Sequence, residues 1–186
     1  MRAHINGRLM RFLAAPLFVV LVVSSMAARQ SPAADPFARV APLIGRWEGT
    51  SEGRPGNGKV QREYARALND RFIRVRNRVV YAPQEKNPKG EVHEDEGFIS
   101  FDRSRKALVF RQFHVEGFVN QFLESPESTP TRLVFTSEAI DNIPPGWRAR
   151  ETYVIAGADT FEEIFELVEP GKPFEVYSQS KLTRMQ

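Results

Sequence analysis

The sequence predicts an all-β protein: a closed antiparallel up-and-down barrel of about ten strands with a short N-terminal helix. Three observations predict it. Apolar and polar residues alternate with a period of two in successive short stretches, tight turn signals separate those stretches, and no connection is long enough for a crossover helix. Such a meander hides its sheet edges by folding into a sandwich or by closing on itself. An even strand count suits closure, because the last strand can then pair antiparallel with the first.

In chain order, residues 1–27 read as an export signal. Arg2, Arg8 and Arg11 make a basic start with no acid, FLAAPLFVVLVV is an unbroken apolar run of 12 residues, and Ser25 and Ala27 place a cleavage point after Ala27. Twelve residues do not span a bilayer as a helix, which takes about 20. The expected destination is the periplasm or the medium. Cleavage leaves 159 of the 186 residues, which suits one domain with a sizeable core. Residues 28–39 are expected as a flexible leader and residues 40–186 as a ligand-binding barrel. Asp35-Pro36 supplies an N-cap and a proline at the first helical position, Phe37, Val40 and Ala41 follow at helical spacing, and Pro42 and Gly45 end what is expected as a short helix or turn.

Strands are then expected at 46–54, 59–68, 71–82, 91–101, 106–115, 117–124, 131–138, 147–156, 160–168 and 174–184. PGNG, Asn69-Asp70, PQEKNPKG, DRSR, SPESTP, a loop with Pro144-Pro145-Gly146, Gly157-Ala158-Asp159 and EPGKP provide turns between them. The ninth stretch, TFEEIFELV, also fits helical spacing through Phe161, Ile164, Phe165 and Val168. It is assigned as a strand because turns bound it tightly and nine strands would close awkwardly.

Charge and composition narrow the function. The chain carries 26 Lys plus Arg against 23 Asp plus Glu, but three of the basic residues belong to the signal, so the remainder is balanced at 23 against 23. That removes the basic surplus expected of a nucleic-acid binder. The absence of cysteine excludes thiolate catalysis and thiolate metal sites. No Gly-x-Ser-x-Gly, phosphate-loop or HExxH pattern occurs, and GRPGNGK joins two strands instead of opening a helix, so no catalytic residue is assigned.

Alternation assigns the inward face. In RFIRVRNRVVY, Ile73, Val75, Asn77, Val79 and Tyr81 share one side, and Arg74, Arg76 and Arg78 the other, which is expected outside because buried arginines would demand anionic partners. Leu108, Phe110, Gln112 and His114 share a face, as do Trp147, Ala149, Glu151, Tyr153 and Ile155, with Arg148 and Arg150 opposite. Glu151 has no account there unless an arginine pairs with it. HEDE (93–96) offers metal-ligand types, yet alternation sends only His93 and Asp95 to one face, so it reads as a solvated strand start and no metal site is assigned. Ten strands leave room inside a barrel, since about eight already suffice to fill it or hold one small ligand. The candidate ligand-binding residues are Val75, Asn77, Tyr81, Gln112, His114, Tyr153 and Tyr177.

GRWEG (45–49) resembles the Gly-x-Trp signature that opens the first strand of the calycin barrels, which include lipocalins and fatty-acid-binding proteins. SKLTRMQ at the end of the chain places Arg184 where those families pack an arginine across the tryptophan, so the resemblance implies barrel closure through Trp47 and Arg184. Through LIGRWEG, EDEGFISF, the hairpin around Gly117, RARETYVI and SKLTR, residues 43–184 look most like the nitrobindin type of haem-binding barrel and related uncharacterised families. That resemblance implies haem held by an axial histidine about five residues before the last leucine of the final strand. Counting back from Leu182 gives Tyr177, and no histidine follows His114. Tyrosinate can ligate haem iron. The function expected is an exported, soluble barrel that holds a small, mostly hydrophobic molecule. The alternatives are a haem barrel acting on reactive nitrogen species and an envelope module with a solidly packed interior.

Overall fold

The computed structural model describes residues 35–186; the signal and most of the leader lie outside the described residues. Ten strands form one closed barrel: β1 (Gly45–Gly53), β2 (Gly56–Ala67), β3 (Phe72–Tyr81), β4 (Glu91–Asp102), β5 (Ala107–His114), β6 (Val119–Glu124), β7 (Arg132–Asp141), β8 (Arg148–Ile155), β9 (Thr160–Val168) and β10 (Glu175–Arg184). Each pairs antiparallel with its sequence neighbours, and β10 closes onto β1. TFEEIFELV is the strand β9.

The short N-terminal helix is not formed. Residues 36–40 make a turn, and only Ala41–Leu43 winds as a 3-10 helix. Asp35 does accept the Phe37 N–H at 2.9 Å, as a cap would. Pro42 has no N–H to extend the ladder, and seven residues cannot repay helix nucleation. The segment instead covers one end of the barrel, burying Phe37, Val40 and Leu43, with Arg39 held 2.8 Å from the buried Glu124.

At that end the first and last strands are joined. Trp47 faces Arg184 in the β1–β10 register, and the guanidinium carbon lies 4.1 Å from the centre of the indole ring. Arg184 donates to the carbonyls of Ile44 at 2.8 Å, Pro42 at 2.9 Å and Ala158 at 3.0 Å, while the indole N–H donates to Leu43 at 2.7 Å. Both glycines of GRWEG follow from this closeness. A Cβ on Gly45, whose φ is +138°, would stand 2.4 Å from Arg184 Nη1, and one on Gly49 would stand 1.8 Å from the Lys181 carbonyl oxygen on β10.

Above the seal the interior is packed with Tyr64, Ile99, Phe110, Phe122, Phe135, Tyr153 and Phe161, all fully buried. Trp47 meets Phe161 edge-on at 4.7 Å. The arginines of β3 face outward, where Arg76 and Arg78 pair with Glu96 and Glu94 at 3.2 and 3.1 Å.

Candidate functional site

The other half of the barrel is hollow. A cavity of about 430 Å³ runs from mid-barrel toward the hairpins at the end away from Trp47, within the size range of small-molecule pockets. Its walls are largely apolar, with Val79, Phe118, Ile140, Ile143, Phe165 and Leu167 among them. Its floor is a belt of polar side chains, each from a different strand: Arg62 of β2, Asn77 of β3, Asp95 of β4, Gln112 of β5, Asn120 of β6, Glu151 of β8, Glu163 of β9 and Ser180 of β10, all buried.

The belt is linked by hydrogen bonds. Arg62 Nε donates to Asn77 Oδ1 at 3.3 Å, Asn77 Nδ2 to Asp95 Oδ2 at 2.7 Å, and Gln112 Nε2 to Asp95 Oδ1 at 2.9 Å. The Arg62 guanidinium also contacts Glu163 and lies 3.8 Å from Glu151. It is the arginine that Glu151 needed. Burial still pushes the Glu151 carboxyl up to about 7, although Arg62 and the Tyr153 hydroxyl pull the other way.

The cup has two histidines with opposite settings. His93 sits between Asp95, at 3.4 Å, and Glu116, at 2.8 Å; burial opposes its charge, but these two carboxylates carry its pKa up to about 9. His114 is pushed down to about 4, mainly by burial, and its ring stacks on Phe118 at 4.0 Å. His93 is therefore not a solvated strand start. The limit of two ligands for HEDE held along one strand only, because β5 brings His114 opposite Asp95.

Of the residues expected at the ligand, Asn77, Tyr81, Gln112, His114 and Tyr177 line the cavity. Val75 and Tyr153 do not: both point inward but lie in the packed half, Tyr153 donating its hydroxyl upward to Glu151. The sequence reading missed Arg62, Asp95, Asn120 and Glu163. The signal for two of them was present, since Arg62 shares a face with Val60 and Tyr64, and Glu163 with Phe161 and Phe165.

Haem, which the nitrobindin resemblance implies, does not fit the residues present. Tyr177 stands at a bulge of β10, with its ring edge-on to Phe165 at 5.9 Å. Burial raises its hydroxyl pKa, and Glu91, Tyr81 and Glu116 raise it further, so the tyrosinate that would hold iron is disfavoured. The two histidines of the cavity stand on β4 and β5, not on the final strand where the resemblance places the axial ligand.

No known family and no curated protein matches the chain by sequence. Among solved structures it is similar to Rv2717c from M. tuberculosis, with a TM-score of 0.65 and 18% identity over 81% of this chain and 98% of that one. That likeness shows a shared barrel fold. A redesigned β-barrel (TM-score 0.41, 8% identity, 80% of this chain and 96% of that one) and a de novo fluorescence-activating β-barrel (0.37, 14%, 76% and 93%) are more distant. Among the described residues, no helix is long and apolar enough to cross a membrane.

Proposed function

We propose that the protein is an exported barrel of the calycin kind that holds a small, mostly hydrophobic molecule in its cup, polar end against the belt. The observation that carries this reading is the cavity of about 430 Å³ with apolar walls above a polar floor. Burying apolar ligand surface against those walls contributes about 25 cal/mol per Å² before association costs, so about 200 Å² supplies roughly 5 kcal/mol. The belt then sets orientation and sign. In the belt Arg62 faces Asp95, Glu151 and Glu163, and the exposed Glu91 and Glu116 also line the cavity, so the cup favours a hydrogen-bond donor or a cation over a carboxylate head.

The nitrobindin-type alternative, haem chemistry on reactive nitrogen species, lacks the axial histidine on the final strand, and a solidly packed envelope module is at odds with the hollow half. The test is equilibrium titration with a hydrophobic fluorescent probe. Saturable uptake of one molecule, competed away more effectively by a fatty amine than by the matching fatty acid, is expected. No saturable uptake by folded protein sinks the reading. Export rests on residues 1–27, and the protein recovered from outside the cytoplasm should begin at Ala28 by mass spectrometry.

A further inference from the structure

The wall of the cup also holds three side chains of a type that a greasy ligand does not require. His93 and Asp95 are alternate residues of β4, so both face inward, and His114 of β5 stands opposite Asp95 in the strand register. Their ligating atoms all lie within 4.8 Å of one another. We propose that His93, Asp95 and His114 bind a divalent transition metal ion of the zinc and iron(II) class, with its remaining coordination positions open to the cavity. This site goes beyond the binding of an organic molecule and does not depend on it.

The donor set comes first. Two imidazoles and one carboxylate suit zinc or non-haem iron(II), and three protein ligands are what an open site retains. Spacing agrees. Ligands held tetrahedrally at about 2.0–2.1 Å from zinc stand about 3.4 Å from each other. His93 Nε2 and Asp95 Oδ2 are already 3.4 Å apart, so only His114 has to swing inward.

The groups behind the three ligands are of the kind that metal sites use. A metal-bound histidine commonly gives its other ring nitrogen to a carboxylate, and His93 Nδ1 is 2.8 Å from Glu116 Oε1. Asp95 is fixed by Asn77 and Gln112 at 2.7 and 2.9 Å. Around His114, two buried atoms lack partners, its own Nδ1 and the Oδ1 of Asn120. Asn120 Nδ2 stands 3.0 Å from His114 Nε2. Turning that amide end for end trades the 3.5 Å contact with Gln112 for one in which Oδ1 accepts the Nε2 proton. The Nδ1 lone pair is then free for an ion. A cation bound there gives His114 Nδ1 the partner it lacks.

The test uses chelator-stripped protein titrated with cobalt(II), followed by visible absorption and calorimetry. One equivalent should bind with ligand-field bands of a nitrogen–oxygen site. Asp95→Asn and His114→Phe should abolish it, and Glu116→Gln, which keeps all three ligands, should weaken it 10–100-fold. His93→Ala alters the more accessible ring and leaves the packed half untouched, so it should keep the wild-type circular dichroism and still lose the ion. Absence of saturable cobalt binding, or binding that survives both His93→Ala and His114→Phe, overturns the site. Probe uptake by the metal-free protein is read separately, so either result can fail without the other.

Discussion

Arg62 is the residue on which the polar belt depends. It is a cation buried in mid-barrel against Glu163 and Glu151, with Asp95 one hydrogen-bonded step away through Asn77. Removing it leaves carboxylates in a desolvated place with no counter-charge, and breaking a buried pair this way costs about 3–5 kcal/mol. Arg62→Met should lower stability by that amount at pH 8, measured by urea unfolding. Glu151 gives the opposite lesson. Its carboxyl has an ordinary value of 4.5 and a folded value of about 7, so between those limits the folded chain keeps a proton that the unfolded chain has released. Stability from that proton is complete below pH 4.5 and is lost as pH rises through 7. Glu151→Gln cannot lose it. Wild-type stability should therefore fall relative to Glu151→Gln across this window, by up to a few kcal/mol. Parallel curves would mean that Arg62 keeps Glu151 ionised throughout.

Among the elements, the β1–β10 pair decides whether the sheet closes. Gly49 lies against β10 backbone, where an added Cβ would meet the Lys181 carbonyl oxygen at 1.8 Å. Side chains can rotate away from a clash, but paired backbones can only separate. Gly49→Ala should thus cost roughly 3 kcal/mol. Gly157→Ala, where the nearest atom is the Thr160 hydroxyl at 3.7 Å, should change stability by less than about 0.5 kcal/mol. Equal effects in urea unfolding would remove close strand approach as the reason for the second glycine in GRWEG. These strands were legible because a period of two survives wherever one face is buried, as in β3, where Ile73, Val75, Asn77 and Val79 alternate with Arg74, Arg76 and Arg78. Whether 35–41 winds as a helix or a turn was not, because an N-cap and three spaced apolar residues look alike in a helix and in a turn pinned by Pro42.

For the molecule as a whole, alternation tells which way a side chain faces and says nothing of its height along the barrel axis. That is why Val75 and Tyr153, correctly inward, fell in the packed half, while Asn77 and His114 reached the cavity. Height is set by how neighbouring strands are staggered, which no single strand records. It also explains why the convergence of His93, Asp95 and His114 escaped a reading of HEDE alone: the third member arrives through the β4–β5 register. The hollow half makes one further demand. Val79 lines the cavity from β3 between its cross-strand neighbours Val60 and His93, so a larger side chain there grows into open space instead of into the packed half. Val79→Trp should cut probe uptake at least tenfold while shifting the unfolding free energy by less than about 1 kcal/mol, because filling a void need not strain its lining. Uptake that persists would place the probe on the outer surface. Haemin added to wild type should keep its free spectrum, since Tyr177, at the position where the resemblance puts the axial ligand, is disfavoured as a tyrosinate. A new Soret band that Tyr177→Phe removes would put iron on that phenol, and the cup would then be a haem pocket after all.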